Sequence, residues 1–192
     1  MKLIPFITPA LYAVCATALP AKRDNGPFTA IALRSASPIH QLSITAAGES
    51  FWLGGNTASY CPTNVDPCPP GNVTVFGNAY SLDVEVPGGQ VIYVNPSGAL
   101  AFTMAHSIYI PSGSQQGPFS YDSGSPFGSY STSSFGATGF MACPDDAMSP
   151  TSWQVFAAIQ NATVPTGNVA DCLGFDAATV DYDGDIPAWQ YI

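Results

Sequence analysis

Between Val73 and Thr103 the chain reads VTVFGNAYSLDVEVPGGQVIYVNPSGALAFT, and this stretch restricts the fold more than any other. Leu82, Val84 and Val86 alternate with Ser81, Asp83 and Glu85, the period of two that sends one set of side chains into a core and the other into water. Pro87-Gly88-Gly89 reverses the chain, Val91 to Val94 forms a β-rich run, Asn95-Pro96-Ser97-Gly98 turns it again, and Ala99 to Thr103 returns. Three strands joined by two short turns predict an antiparallel meander. No stretch of ten residues carries a 3.6 period with caps, so helices are not expected.

Phe28 to Arg34 is apolar on both faces and predicts a central strand. Ile39 to Thr45 alternates as a half-buried strand, and Phe51-Trp52-Leu53 is a short third. Phe140 to Cys143, the alternating run from Trp153 to Ile159, and a last short piece at Leu173 to Phe175 complete nine to eleven strands. With 18 Gly and 18 Pro to supply the breaks, the expectation is an all-β antiparallel sandwich, jelly-roll-like, with short strands and long loops. The alternative is a β-trefoil-like barrel, although no internal repeat supports it. Residues 112–134, a stretch dense in Ser and Gly, read as a surface loop or as one or two irregular edge strands pinned by aromatics, with the loop favoured. The aromatics of this stretch, Phe119, Tyr121, Phe127 and Tyr130, make it the expected contact segment for sugar rings. Residues 176–192 read as an exposed acidic tail.

The ends bear on compartment. Lys2, the apolar stretch from Leu3 to Val14, and Ala16-Thr17-Ala18 read as a secretory signal peptide over residues 1–18, cleaved after Ala18. Residues 19–23 read as a short propeptide ending in the dibasic pair Lys22-Arg23, which leaves one all-β domain at 24–192. No GPI signal or membrane-spanning segment is recognised, so no membrane anchor is expected. After processing, Arg34 is the one Lys or Arg left against 13 Asp and Glu. That balance excludes nucleic acid as a partner, because phosphates are neutralised by Lys and Arg. The mature protein is expected to be secreted and monomeric.

Cys15 leaves with the signal peptide, and Cys61, Cys68, Cys143 and Cys172 remain. An even number in an exported chain predicts two disulfides, and three pairings are possible. The short Pro- and Asn-rich loop favours Cys61–Cys68, with Cys143–Cys172 as its complement. On the chain-entropy view, such loops contribute about 2.5 and about 3.6 kcal/mol. No zinc spacing competes.

No catalytic constellation is found. A glycoside hydrolase needs two carboxylates about 5 or about 6.5–9.5 Å apart, and only Glu49, Asp83 and Glu85 suggest themselves; the last two read as a water-facing strand edge. GxSxG is absent, and His40 and His106 sit in strand-like segments. Asp181-Tyr182-Asp183-Gly184-Asp185 lacks the glycine and glutamate spacing of a calcium loop. No metal or cofactor is therefore expected. Asn72-Val73-Thr74 and Asn161-Ala162-Thr163 are sequons, making Asn72 and Asn161 candidate N-glycosylation sites.

The order of segments carries a resemblance: FTAIALRSASPIHQ, a meander ending in NPSG, then GFMACPD, SWQVFAAI and NVADCLGF. It resembles the fungal secreted cell-wall proteins related to PhiA, some described as IgE-binding, over most of residues 27–175. The resemblance implies a non-enzymatic structural glycoprotein of the wall, associated with phialide and conidium development. Its implied partners are wall polysaccharide and other wall proteins, and it implies no cofactor. The chain departs from that pattern in having no cysteine after Cys172, so the Cys61–Cys68 pairing has no support from the resemblance. The competing expectation is a carbohydrate-binding module or glycoside hydrolase, with Trp52, Trp153 or Trp189 stacking on sugars.

The cysteine count generates a direct test: thiol titration of the unfolded, unreduced mature protein should find no reactive thiol. Two or more would show that the even set is not fully paired.

Overall fold

The computed structural model describes residues 26–148 and 150–192; Ala18, Lys22 and Arg23, the expected processing positions, lie outside the described residues. Fourteen strands follow one another along the chain. They are β1 (Phe28–Leu33), β2 (Ile44–Ala47), β3 (Ser50–Leu53), β4 (Ser59–Tyr60), β5 (Phe76–Asn78), β6 (Ser81–Leu82) and β7 (Ile92–Val94). The second half supplies β8 (Leu100–Phe102), β9 (Phe119–Asp122), β10 (Gly128–Thr132), β11 (Phe140–Pro144), β12 (Trp153–Ala157), β13 (Leu173–Asp181) and β14 (Gln190–Tyr191). Every pairing is antiparallel.

Twelve strands form one sheet along the path β6-β5-β1-β13-β11-β12-β3-β8-β7, with β10 and β9 branching from β13 and β2 from β3; β4 and β14 form a separate ribbon. The ends of the path meet at one residue pair, Ser81 with Val91, and the sheet is not closed into a barrel. That overturns the β-trefoil alternative. The two arms instead share one core, in which Phe51 of β3 lies 5.5 Å from Phe76 of β5.

β13 joins the arms. Its first residues, Leu173 to Phe175, pair with β11, while Asp176 to Asp181 pair with β1 and Ala177 to Thr179 pair with β10. β1 takes the expected interior place, with Phe28, Ala30 and Ala32 buried and Thr29, Ile31 and Leu33 half-buried.

Three expectations are corrected. In residues 112–134 the favoured loop gives way to the strand alternative: β9 and β10 form a hairpin whose Phe119, Tyr121 and Tyr130 are buried in the core. Serines and Asp122 take the alternate, exposed positions, so the aromatics are spent on packing. A Cβ on Gly128 would collide with the Asp122 carbonyl and the Thr179 hydroxyl, which is why glycine opens β10. Residues 176–192 are not a solvated tail, since β13 runs to Asp181 and Ala188 and Tyr191 are buried. The strand expected at Ile39 to Thr45 begins only at Ile44, because Ala36 and Gln41 take positive φ (56° and 65°) and turn the chain first.

The meander is confirmed at β7 and β8, where Ile92 faces Phe102 and Val94 faces Leu100. Its first leg is shorter than its alternation suggested. Beyond Leu82 the backbone leaves the ladder, and Glu85 and Val86 donate instead to the Ala188 and Trp189 carbonyls at 3.1 and 2.9 Å. Leu82 and Val86 remain buried, so the alternation recorded burial rather than strand length.

Gln90 is wholly buried and holds the end of the chain. Its Nε2 donates to the Thr103 and Tyr191 carbonyls at 2.9 and 3.0 Å, and its Oε1 accepts the Tyr191 N–H at 2.8 Å. The Tyr191 hydroxyl in turn accepts from Val75 N–H and donates to the Val73 carbonyl. Gln90→Ala leaves three buried main-chain groups without partners, at about 1–3 kcal/mol each. Urea unfolding should show a loss of about 3 kcal/mol or more through a lower midpoint at unchanged slope.

Candidate functional site

The cysteines are bonded as Cys61–Cys68 and Cys143–Cys172, with Cα separations of 6.2 and 4.2 Å. The first closes an exposed loop after β4. The second ties buried Cys143 on β11 to the residue that precedes β13, bracing the strand that joins the arms.

The residues considered for catalysis do not converge. Glu85 is exposed, Glu49 is exposed at φ 56°, and Asp83 is half-buried, with burial raising its carboxyl above the usual range. The expectation of a solvent-facing Asp83 is thereby corrected: the Asp83 N–H bonds the Val75 carbonyl and draws the residue against the sheet. Among the described residues, the cavity beside Glu49 and the one beside Asp176 each bring in a single Asp or Glu side chain. His40 accepts the Arg34 N–H on Nδ1 at 3.2 Å, while His106 sits exposed in a turn. In the 181–185 segment, Asp181 accepts the Tyr121 hydroxyl, and burial together with that bond pushes the phenol up to about 12. Among the described residues, no three His, Cys, Asp or Glu side chains are grouped to hold a metal ion.

Nor do the tryptophans present open faces. Trp153 is buried, and Trp52 is half-buried with Nε1 donating to the Ala47 carbonyl at 2.9 Å. Trp189 is half-buried and its indole N–H has no partner among the described residues. The large exposed aromatics are Tyr60, Tyr80, Tyr109, Phe127 and Phe135. Of the four aromatics in 112–134, three are buried and Phe127 is exposed, so the segment offers one open ring where four were expected.

Two adjoining cavities, about 500 and 470 Å³, share Thr138 and Ala158 and make a shallow trough. One half is polar, with Arg34, His40 and Asp176 around the edges of Phe140 and Phe175. Arg34 is the one Lys or Arg among the described residues, and its Nη1 donates to the Gly174 carbonyl at 2.6 Å, which fixes the side chain across β13. The other half is lined by Phe135, Met141, Ile159 and Val169 and rimmed by Gln160 and Asn161. Phe135 has φ 54°, a left-handed conformation costing a bulky residue about 1–3 kcal/mol. The Gln115 side chain accepts its N–H at 2.8 Å and helps to hold it there. Sequence reasoning missed this position; the adjoining Phe135-Gly136 among serines was the turn signal that marked it. Hydroxyls, amides, a guanidinium and ring edges suit hydrogen bonding and stacking with a neutral polar ligand.

Both sequon asparagines are exposed. Thr74 of the first is buried, its Oγ1 accepting the Ala46 N–H at 2.8 Å, whereas Thr163 of the second is exposed.

Asp145 is held strongly ionised although it is fully exposed. Its carboxylate accepts the hydroxyls of Thr151 and Ser152, at 2.7 and 3.1 Å, and their N–H groups at 3.0 and 3.2 Å. The Thr151 hydroxyl bond leads, and together these keep the carboxyl well below the usual aspartate range. The carboxylate closes the turn between β11 and β12, a structural use of a perturbed group.

Residues 28–192 match a family described as PhiA-like secreted protein. The chain is also 49% identical over 156 residues to a protein of Arthroderma benhamiae described as an uncharacterized secreted protein, covering 80% of this chain and 79% of that one. No solved structure matches.

The Asp145 turn has a pH signature. A depressed carboxyl stabilises the fold above the unfolded value of about 3.9, and that contribution is lost as pH falls through the lower folded value. The difference in melting temperature between the parent and Asp145→Asn should therefore be constant above about pH 5 and shrink steadily below about pH 4. A difference that is flat down to pH 2 would contradict the assignment.

Proposed function

The chain belongs to the PhiA-like secreted protein family, and from that membership we propose that it is a non-enzymatic structural glycoprotein of the fungal cell wall. In this reading it serves phialide and conidium development, and acts as a monomer through contacts with wall polysaccharide and neighbouring wall proteins. Secretion is common to the family and to the Arthroderma relative. The observation that carries the structural role is the family match, which spans nearly the whole described fold.

The surface chemistry agrees with adhesion by many weak contacts. Arg34 is the single described cation, so ionic attachment to anionic polymers has little to act through. Hydroxyls and amides are abundant, and Tyr109 and Phe127 present faces that are 73% and 51% exposed. Each contact is weak, and retention grows with their number. The hydrolase alternative would need two Asp or Glu side chains in one cavity, and the cavities beside Glu49 and Asp176 each bring in one.

Wall fractionation tests the proposal. A large share of the protein should leave isolated walls in hot detergent alone, without reductant or glucanase, and Tyr109→Ser combined with Phe127→Ser should shift protein from wall to medium without blocking secretion. Protein found only in the medium counts against wall residence. Glycan cleavage that disappears with Glu49→Gln or Glu85→Gln overturns the non-enzymatic reading.

A further inference from the structure

We propose that Asn161 carries an N-linked glycan whose first sugars lie in the apolar half of the trough, against the ring of Phe135. This rests on secretion, and neither on wall residence nor on the absence of catalysis, so its failure would leave those readings standing.

The sequon Asn161-Ala162-Thr163 forms the outer point of a well-anchored turn after β12. The Thr163 N–H donates to the Ser97 carbonyl at 2.9 Å, and the side chains of Ile159 and Ala162 rest against Gly98. Gly98 has φ 94°, and a Cβ there would press on Ile159 at 3.0 Å, so the turn is seated as closely as the backbone permits. Asn161 itself is exposed and its amide makes no hydrogen bond within the described residues, leaving Nδ2 open. In the secretory pathway the co-reactant is a lipid-diphosphate oligosaccharide. Nδ2 forms a bond to C1 of its first sugar as the C1–O bond to the diphosphate breaks, the amide gives up one proton, and the lipid diphosphate leaves.

What surrounds Asn161 then matters. It shares one cavity of about 470 Å³ with Phe135, Met141, Ile159 and Val169. Phe135 is kept in a left-handed conformation, and 38% of the residue remains exposed among the described residues. An N-acetylglucosamine ring has one face of C–H groups that lies on an aromatic ring, while its hydroxyls remain at the edge, near Gln160. A glycan tethered at the rim meets that surface at high effective concentration, so even a weak stacking contact is populated. Asn72 provides an internal contrast. Its cavity, about 320 Å³, is lined by Thr29, Ser43, Thr45, Asn56 and Thr57 among others, with no aromatic residue.

The test uses the full chain secreted from a fungal host. Glycopeptide mass spectrometry should find Asn161 occupied. Thr163→Ala, which removes the glycan but keeps the asparagine, should lower the melting temperature by about 2–4 °C. Trimming to a single N-acetylglucosamine should preserve most of the difference. In a Phe135→Ser background the loss of the glycan should cost little, whereas Asn72→Gln should have the same small effect in both backgrounds. Because Phe135→Ser could impair folding, the trimmed parent supplies a second measurement: nuclear Overhauser contacts between the sugar and the Phe135 ring. An unoccupied Asn161, an undiminished glycan effect without the ring, or the absence of those contacts overturns the proposal.

Discussion

The rings of Phe76 and Phe51, 5.5 Å apart, make the contact on which the two arms of the sheet depend. Phe76 stacks in turn on Phe28 at 5.0 Å and Phe28 on Tyr121 at 3.9 Å, while Phe51 meets Phe102 at 5.4 Å. A branch runs from Phe76 through Tyr130 to Phe140 and Phe175. The series passes from one arm to the other without interruption. Such pairs contribute about 0.5–1.5 kcal/mol each beyond the area they bury. A chain with one described cation has little ionic stabilisation to draw on, so ring packing and hydrogen bonds must do what surface charge pairs do elsewhere.

The polar interior follows from that packing. Once the arms close on the aromatic series, main-chain groups at the end of the chain are taken out of water and need partners, which Gln90 and the Tyr191 hydroxyl supply. Burial raises the Tyr191 phenol, outweighing the Val75 N–H bond that favours its ionised form. The Cys143–Cys172 bond braces the start of β13, the same region whose Gly174 carbonyl receives Arg34. One side of the trough therefore lies over this braced part of β13, and the turns at residues 34–40, 135–138 and 158–161 supply the rest of its lining.

In the proposed adhesive reading, this bracing keeps the lining of the trough in one arrangement. The protein's ionisable groups are dispersed, and the exposed one held furthest from its ordinary range, Asp145, is committed to a turn. The trough offers a fixed arrangement of amide, hydroxyl and ring edges. One half is suited to the protein's own glycan, and the half around Arg34 remains open to the surroundings.

The sequence by itself determined the class of fold, the secretory family and the hairpin of β7 and β8, because period-two alternation and the Asn95–Gly98 turn are local signals. The short separation of Cys61 and Cys68 also pointed to a local bond. Tertiary structure decided the rest. In the run from Asp176 to Asp181, Ala and Asp have little preference for strands, and it becomes the hub only because β1 and β10 pair with its two edges. The aromatics of 119–130 looked available to sugars while the composition read as loop, yet the hairpin's register turns Phe119, Tyr121 and Tyr130 inward. The trough joins residues from 34 to 176 that share no motif, since a cavity is a property of how surfaces meet and leaves no spacing to read.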